Sequence, residues 1–149
     1  MRLALFQPDI APNAATMIRL GACLGVPVDI IEPCGFVFSD ARFRRAGMDY
    51  LEYAHVVRHH SWDAFRTAVP GRLVLLTTKA ALSYTAASYR TDDVLLLGRE
   101  SAGVPDDVRA RADLAVRIPM REGLRSLNVA VAGAMVLGEA MRQTGGFST

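Results

Sequence analysis

Ile118-Pro119-Met120-Arg121-Glu122-Gly123-Leu124-Arg125-Ser126-Leu127-Asn128 joins a short apolar run, Leu114 to Ile118, to a long apolar helical pattern from Ser126 to about Arg142. A polar, arginine-bearing turn between a strand and a helix is where an α/β fold places a ligand, because the carboxyl ends of strands open there. Two upstream stretches repeat the arrangement. Pro12-Asn13-Ala14-Ala15-Thr16-Met17-Ile18-Arg19 and Leu97-Gly98-Arg99-Glu100-Ser101-Ala102-Gly103-Val104-Pro105 each end a strand-like run and open a helix. Three such turns in one small chain predict one composite site.

Outward from these turns, strands and helices alternate. Leu3 to Phe6 reads as a buried strand, and Asn13 as the N-cap of a helix reaching about Leu24. Val28 to Ile31 is a second strand, Ser39 is placed to cap a short helix through Arg45 that Gly47 ends, and His55 to Arg58 is a β-branched run. Ser61 caps a helix from Trp62 to Val69, closed by Pro70-Gly71. Leu73 to Thr77 and Val94 to Leu97 are apolar without alternation, as strands covered on both faces are, and Leu114 to Ile118 is the last strand. The expected fold is α/β, three layers around a mainly parallel sheet, in one domain over residues 1–143 with a frayed tail over 144–149. The final helix is apolar around most of its circumference. A subunit interface accounts for that, with Ala130, Gly133, Ala134 and Gly138 allowing close approach; a fully internal core helix is the alternative.

Composition narrows the class. At 149 residues, 51% hydrophobic and 21% charged, the chain can bury a core in a single domain. The apolar stretch after Arg2 is too short for a signal peptide or a membrane span, so a cytoplasmic protein is expected. Cys23 and Cys34 lack metal-ligand spacing and read as reduced thiols. The formal charge of +2 predicts no strong nucleic-acid affinity by itself, but the arginines cluster, Arg42 with Arg44 and Arg45, and Arg117 with Arg121 and Arg125. Such clusters suit bidentate phosphate contacts.

Common chemistries are missing. The turn from Gly98 to Gly103 is neither a phosphate-binding P-loop nor a GxGxxG dinucleotide turn, and no GxSxG hydrolase elbow occurs. His59-His60 has no carboxylate or thiolate at ligand spacing, and no metal is expected. The chemistry must then come from a cosubstrate. Gly98 is expected to let a ligand approach the backbone where no Cβ intrudes, and Glu100 to serve either the helix start or catalysis.

Taken together, the three turns resemble the signature motifs of the SPOUT superfamily of RNA methyltransferases: N-x-x-x-x-x-R at Asn13 to Arg19, L-G-x-E-x-x-G-x-P at Leu97 to Pro105, and I-P-M followed by R-S-x-N over Ile118 to Asn128. Ile31-Glu32-Pro33-Cys34-Gly35-Phe36, Arg44 to Tyr50 and Arg58-His59-His60 resemble the minimal TrmL-like branch, which methylates the ribose 2'-oxygen of cytidine or uridine at the tRNA wobble position. The resemblance covers residues 1–143. It implies a deep trefoil knot in the C-terminal part of the fold, a homodimer, tRNA as substrate, and S-adenosylmethionine as methyl donor, leaving S-adenosylhomocysteine. Carried over, the cofactor contacts fall at Leu76, Thr77, Gly98, Glu100, Ile118, Met120, Ser126 and Leu127. The resemblance gives the motif-one arginine, here Arg19, a central role, often as general base; because a guanidinium scarcely deprotonates, Arg19 is expected instead to clamp the target phosphate and stabilise the developing alkoxide, with Ser126 and Asn128 orienting the nucleotide and Asn13 fixing the first loop. Arg42, Arg45, Arg121 and Arg125 are the further RNA contacts expected. Many relatives carry Asn-Leu-Ser-Asn and a tyrosine before the helix glutamate, whereas this chain has Asn128-Val129-Ala130-Val131 and Gly138-Glu139. The alternatives left open are a SPOUT enzyme acting on another RNA such as ribosomal RNA, and a catalytically silent dimer that binds cofactor and RNA.

Overall fold

Seven short strands, β1 (Arg2–Phe6), β2 (Val28–Ile31), β3 (Val56–His59), β4 (Leu73–Leu76), β5 (Leu82–Ser83), β6 (Val94–Leu97) and β7 (Leu114–Arg117), form one sheet in the order β3-β2-β1-β6-β4-β7-β5. Every neighbouring pair is parallel, with Leu3 opposite both Val28 and Leu95. The computed structural model describes residues 1–39, 41, 43 and 49–148. Among the described residues, the helices with defined bounds are α1 (Ala11–Leu24), α2 (Trp62–Ala68), α3 (Asp106–Ala110) and α4 (Val129–Thr144), with a 3₁₀ turn at Asp49–Glu52.

The unbroken apolar strands are explained by helices on both faces. Successive side chains of a strand point to opposite sides. Leu3, Leu5, Leu95 and Leu97 pack with α1 and α4 residues such as Met17, Ile18, Val136 and Leu137. Ala4, Phe6, Leu96 and Leu75 pack on the other side with Phe65 of α2 and Val108 of α3. The expected three layers are therefore present, and β5 and the 3₁₀ turn are additions to them.

Several boundaries differ from expectation. Asn13 is not the N-cap of α1, which starts at Ala11 from an extended Ile10 and has Pro12 in its first turn. Proline fits there because its missing N–H has no intrahelical partner to lose, so the start needs no side-chain cap. α4 begins at Val129 rather than Ser126, because Asn128 is its N-cap, and it runs to Thr144 before Gly145 turns left-handed at φ 66°. Half of the small residues assigned to a subunit interface serve this chain's own core: Ala130 and Gly133 are buried, and a Cβ at Gly133 would lie 2.5 Å from the Met17 methyl. Gly138 has open space beyond it. The short helix read from Ser39 through Arg45 falls mainly outside the described residues.

Two buried carboxylates tie the sheet together. Asp29 on β2 accepts from Arg2 Nε at 2.7 Å and lies 2.8 Å from His59 Nε2, and Asp93 accepts from Arg72 Nε at 2.7 Å. His59 and His60 point apart, the first buried against Phe65 and the second exposed.

Candidate functional site

The carboxyl ends of β1, β6, β4 and β7, four adjacent strands, meet at one cavity of about 640 Å³. The order of strands reverses about β1, which is the switch point where open α/β sheets leave a crevice for ligands. Leu76, Thr77, Gly98, Glu100, Ile118, Met120, Ser126 and Leu127, the residues expected to hold a cofactor, all line it, as do Asn13, Arg125 and Asn128. Leu97 and Val136 supply apolar floor. The volume lies within the ~300–1,000 Å³ typical of small-molecule sites, and a largely aliphatic wall with a few polar groups is the usual composition of such sites.

A continuous chain of hydrogen bonds locks the three turns to one another. Asn128 Oδ1 accepts from the backbone N–H groups of Ala130 (2.9 Å) and Val131 (3.3 Å), capping α4, while its Nδ2 donates to Asn13 Oδ1 at 3.0 Å. Asn13 Nδ2 donates in turn to Glu100 Oε1 at 3.3 Å. The other oxygen of Glu100 accepts from the Asp9 backbone N–H at 2.8 Å. Glu100 is thus a clasp between the first and second turns. Asp9 completes the loop by accepting from Arg99 Nη2 (2.6 Å) and from the Ser101 hydroxyl (2.5 Å). These donors, Arg99 foremost and then Ser101, hold the Asp9 carboxyl down at about 2.

Gly98 also has a structural reason to lack a side chain. A Cβ there would lie 2.6 Å from the Gly103 carbonyl carbon and 2.7 Å from its Cα, so the glycine makes room for the chain's own returning loop while its backbone lines the cavity. That loop closes through paired backbone bonds between Arg99 and Gly103, each 2.9 Å, with Gly103 at φ 64°. In the first turn Gln7 takes φ 42°, an uncommon conformation for a residue with a side chain. Its N–H bonds to Ile31 O at 2.8 Å, which holds it there.

Arg19 and Arg121 stand outside the cavity. Arg19 is exposed on α1 with its guanidinium 4.6 Å from the centre of the Tyr50 ring. Arg121 is exposed on the third turn; Arg42 and Arg45 lie outside the described residues. Sequence reading missed Asp9, Arg99, Lys79 and Arg109. Lys79 and Arg109 line the cavity, and Arg109 Nε is buried with no hydrogen-bond partner among the described residues. An aspartate before a proline-bearing turn has no spacing signal of its own, and Lys79 and Arg109 reach the site only through the strand order. Among the described residues no group of three or more His, Cys, Asp or Glu side chains could hold a metal, and no helix is long and apolar enough to cross a membrane.

Comparison with known proteins agrees with this geometry. The model of the SpoU rRNA Methylase family matches residues 1–138. A protein of Beijerinckia indica subsp. indica named tRNA (cytidine(34)-2'-O)-methyltransferase is 61% identical over 146 residues, covering 96% of this chain and 91% of its own. A solved structure described as "Structural insights into the 2-OH methylation of C/U34 on tRNA" superposes with a TM-score of 0.90 at 40% identity, over 95% of this chain and 94% of that one. The methyltransferase AviRb from Streptomyces viridochromogenes, solved with the cofactor AdoMet, superposes at a TM-score of 0.82 and 26% identity, over 96% of this chain and 60% of that one. With a family match over most of its length and a relative of this identity, the chain belongs to the SpoU methylase family.

Proposed function

We propose that this protein is a cytoplasmic methyltransferase that moves a methyl group from S-adenosylmethionine to the ribose 2'-oxygen of the wobble nucleotide, cytidine or uridine at position 34, in the tRNA anticodon loop. The observation that carries this reading is that all eight residues expected at a cofactor meet in one cavity, bounded by the hydrogen-bonded Asn13, Glu100 and Asn128. Leu76, Ile118, Met120 and Leu127 would give the cofactor apolar walls, and Thr77, Gly98, Glu100 and Ser126 its polar and backbone surroundings. When bound, the cofactor supplies an electrophilic methyl group on a sulfonium whose charge disappears on transfer, which a dry apolar wall favours. Its expected home lies in the C-terminal part of the fold, read here as a deep trefoil knot, whose crossing would hold the second and third turns rigid against each other.

The chain's own residues bind and position. A guanidinium stays protonated, with a pKa above ~12, so Arg19 acts as a clamp on the target phosphate and stabilises negative charge developing on the 2'-oxygen. Ser126 orients the nucleotide at the mouth of the cavity. Asn128, whose amide is committed to the α4 cap and to Asn13, positions the third turn. Arg42, Arg45, Arg121 and Arg125 supply phosphate contacts. One subunit is small against a tRNA, and a homodimer joins two sets of these arginines. The surface offered for pairing is the exposed apolar pair Val131 and Met135, one turn apart on α4.

The test is to incubate the purified protein with methyl-labelled S-adenosylmethionine and either unmodified tRNA or ribosomal RNA. Label entering tRNA, and its loss in Arg19→Ala with cofactor binding retained, is expected. Label entering ribosomal RNA alone overturns the tRNA assignment.

A further inference from the structure

The segments Ile31–Phe36 and Arg58–His60 contribute nothing to the cofactor cavity, yet the fold brings them together. They flank a second, open depression of about 390 Å³ bordered by Glu32, Cys34, Phe36, Val37, Arg58 and His60. β2 ends at Ile31 and β3 at His59, so this groove lies along the same edge of the sheet as the cavity. It is also built onto the first turn of the site: Gly35 N–H donates to Pro8 O at 2.9 Å, and a Cβ at Gly35 would lie 2.9 Å from Asp9 Cα.

At its centre is an ordered planar cation. The Arg58 guanidinium lies over the Phe38 ring, 4.7 Å from its centre, and Phe38 in turn packs 4.7 Å from the ring of buried Phe43. Arg58 Nε donates to Glu32 Oε1 at 2.6 Å, and Nη2 pairs with the same oxygen. Stacked on Phe38 and pinned at the guanidinium edge, Arg58 keeps about half of its side chain (49%) open to solvent. Glu32 offsets its charge, which disfavours a phosphate trap. A flat, charge-balanced platform with Glu32 and His60 at hand for hydrogen bonds fits a nucleobase, since unstacked RNA bases are recognised by stacking on arginine planes and by bonds to their edges. Cys34, its thiol pushed up to about 11 by burial, adds a neutral wall. Val37, 75% exposed, forms an apolar rim.

We propose that this groove is a nucleobase site, in which an unpaired base of the bound RNA stacks on the Arg58 guanidinium while the target ribose is held at the cofactor cavity. The inference rests on the tRNA reading above and extends it to a specificity contact. The test uses the full-length protein and a fluorescent anticodon stem-loop RNA, with loop positions made abasic one at a time. Arg58→Lys keeps the charge and the reach to Glu32 but removes the plane. It is expected to weaken binding roughly five- to a hundred-fold, with the thermal midpoint and S-adenosylmethionine affinity unchanged. One abasic position should weaken the wild-type protein similarly and the variant hardly further. Binding by Arg58→Lys equal to wild type overturns the proposal, and weakening in Arg58→Ala alone would then make Arg58 a phosphate contact. Abasic effects equal in both proteins overturn it too. Failure of the wild-type protein to bind the stem-loop would instead overturn the tRNA reading, and the groove's assignment with it.

Discussion

Asn128 carries two duties through one amide, and they can be separated. Asn128→Ala removes the oxygen that caps α4 and is expected to cost about 1 kcal/mol in urea unfolding. Asn128→Asp keeps a capping oxygen but not the Nδ2 donor to Asn13. It should restore most of the stability without restoring turnover; recovery of both would reduce Asn128 to a cap. Gly98→Ala is a sharper case, because the added Cβ meets backbone at 2.6 Å and backbone cannot rotate away. Its expected signature is a stability loss of about 1–3 kcal/mol together with cofactor affinity reduced at least about tenfold in calorimetry, since relieving the overlap moves a wall of the cavity. The sequence marked both residues as important but not why. A motif glycine looks the same whether its missing Cβ makes room for a ligand or for its own loop. Asp9 left no trace at all, because its partners Arg99 and Ser101 are about ninety positions away in the chain.

At the scale of elements, the clasp joining the first two turns should be sensitive to acid. The Asp9 carboxyl is held at about 2 against an ordinary 3.8, chiefly by Arg99. A depressed carboxyl stabilises the fold fully above the ordinary value, and loses that contribution as pH falls through the folded value. The stability difference between wild type and Asp9→Asn should therefore be constant above pH 3.8 and close towards about pH 2. Glu139, also held at about 2 by Arg142, titrates equally in both proteins and cancels. Urea midpoints at stepped pH check this, and a difference independent of pH would contradict it. Strand and helix positions were legible in the sequence because apolar runs and the Ser61 cap are local signals. The start of α1 was misread because Asn13 has a cap's chemistry, yet Pro12 had already supplied the start and left that amide free for Glu100. On α4, apolarity all round concealed two destinations. Ala130 and Gly133 are buried, Gly133 against Met17 of α1, while Val131 and Met135 remain at the surface, 50% and 38% exposed.

For the whole molecule, that remaining apolar pair carries the dimer proposal. Met135→Asp leaves the internal core untouched and should give a monomer by analytical ultracentrifugation that binds cofactor but has lost most of its tRNA affinity; a dimer unchanged by the substitution would move the interface elsewhere. Composition and pattern made the three-layer parallel class legible, but not the order β3-β2-β1-β6-β4-β7-β5. An apolar run buried on both faces carries no information about which strand lies beside it. That order is what brings turns from opposite ends of the chain to one cavity, and Lys79 and Arg109 with them. The motif set pointed, through family resemblance, to residues that line one cavity, and the geometry supplied the bonds that assemble it. The decisive measurement is to digest the methyl-labelled tRNA with nuclease and locate the label by mass spectrometry. A 2'-O-methyl group on nucleotide 34 is the predicted result, whereas label on a base or at any other position would contradict the assignment.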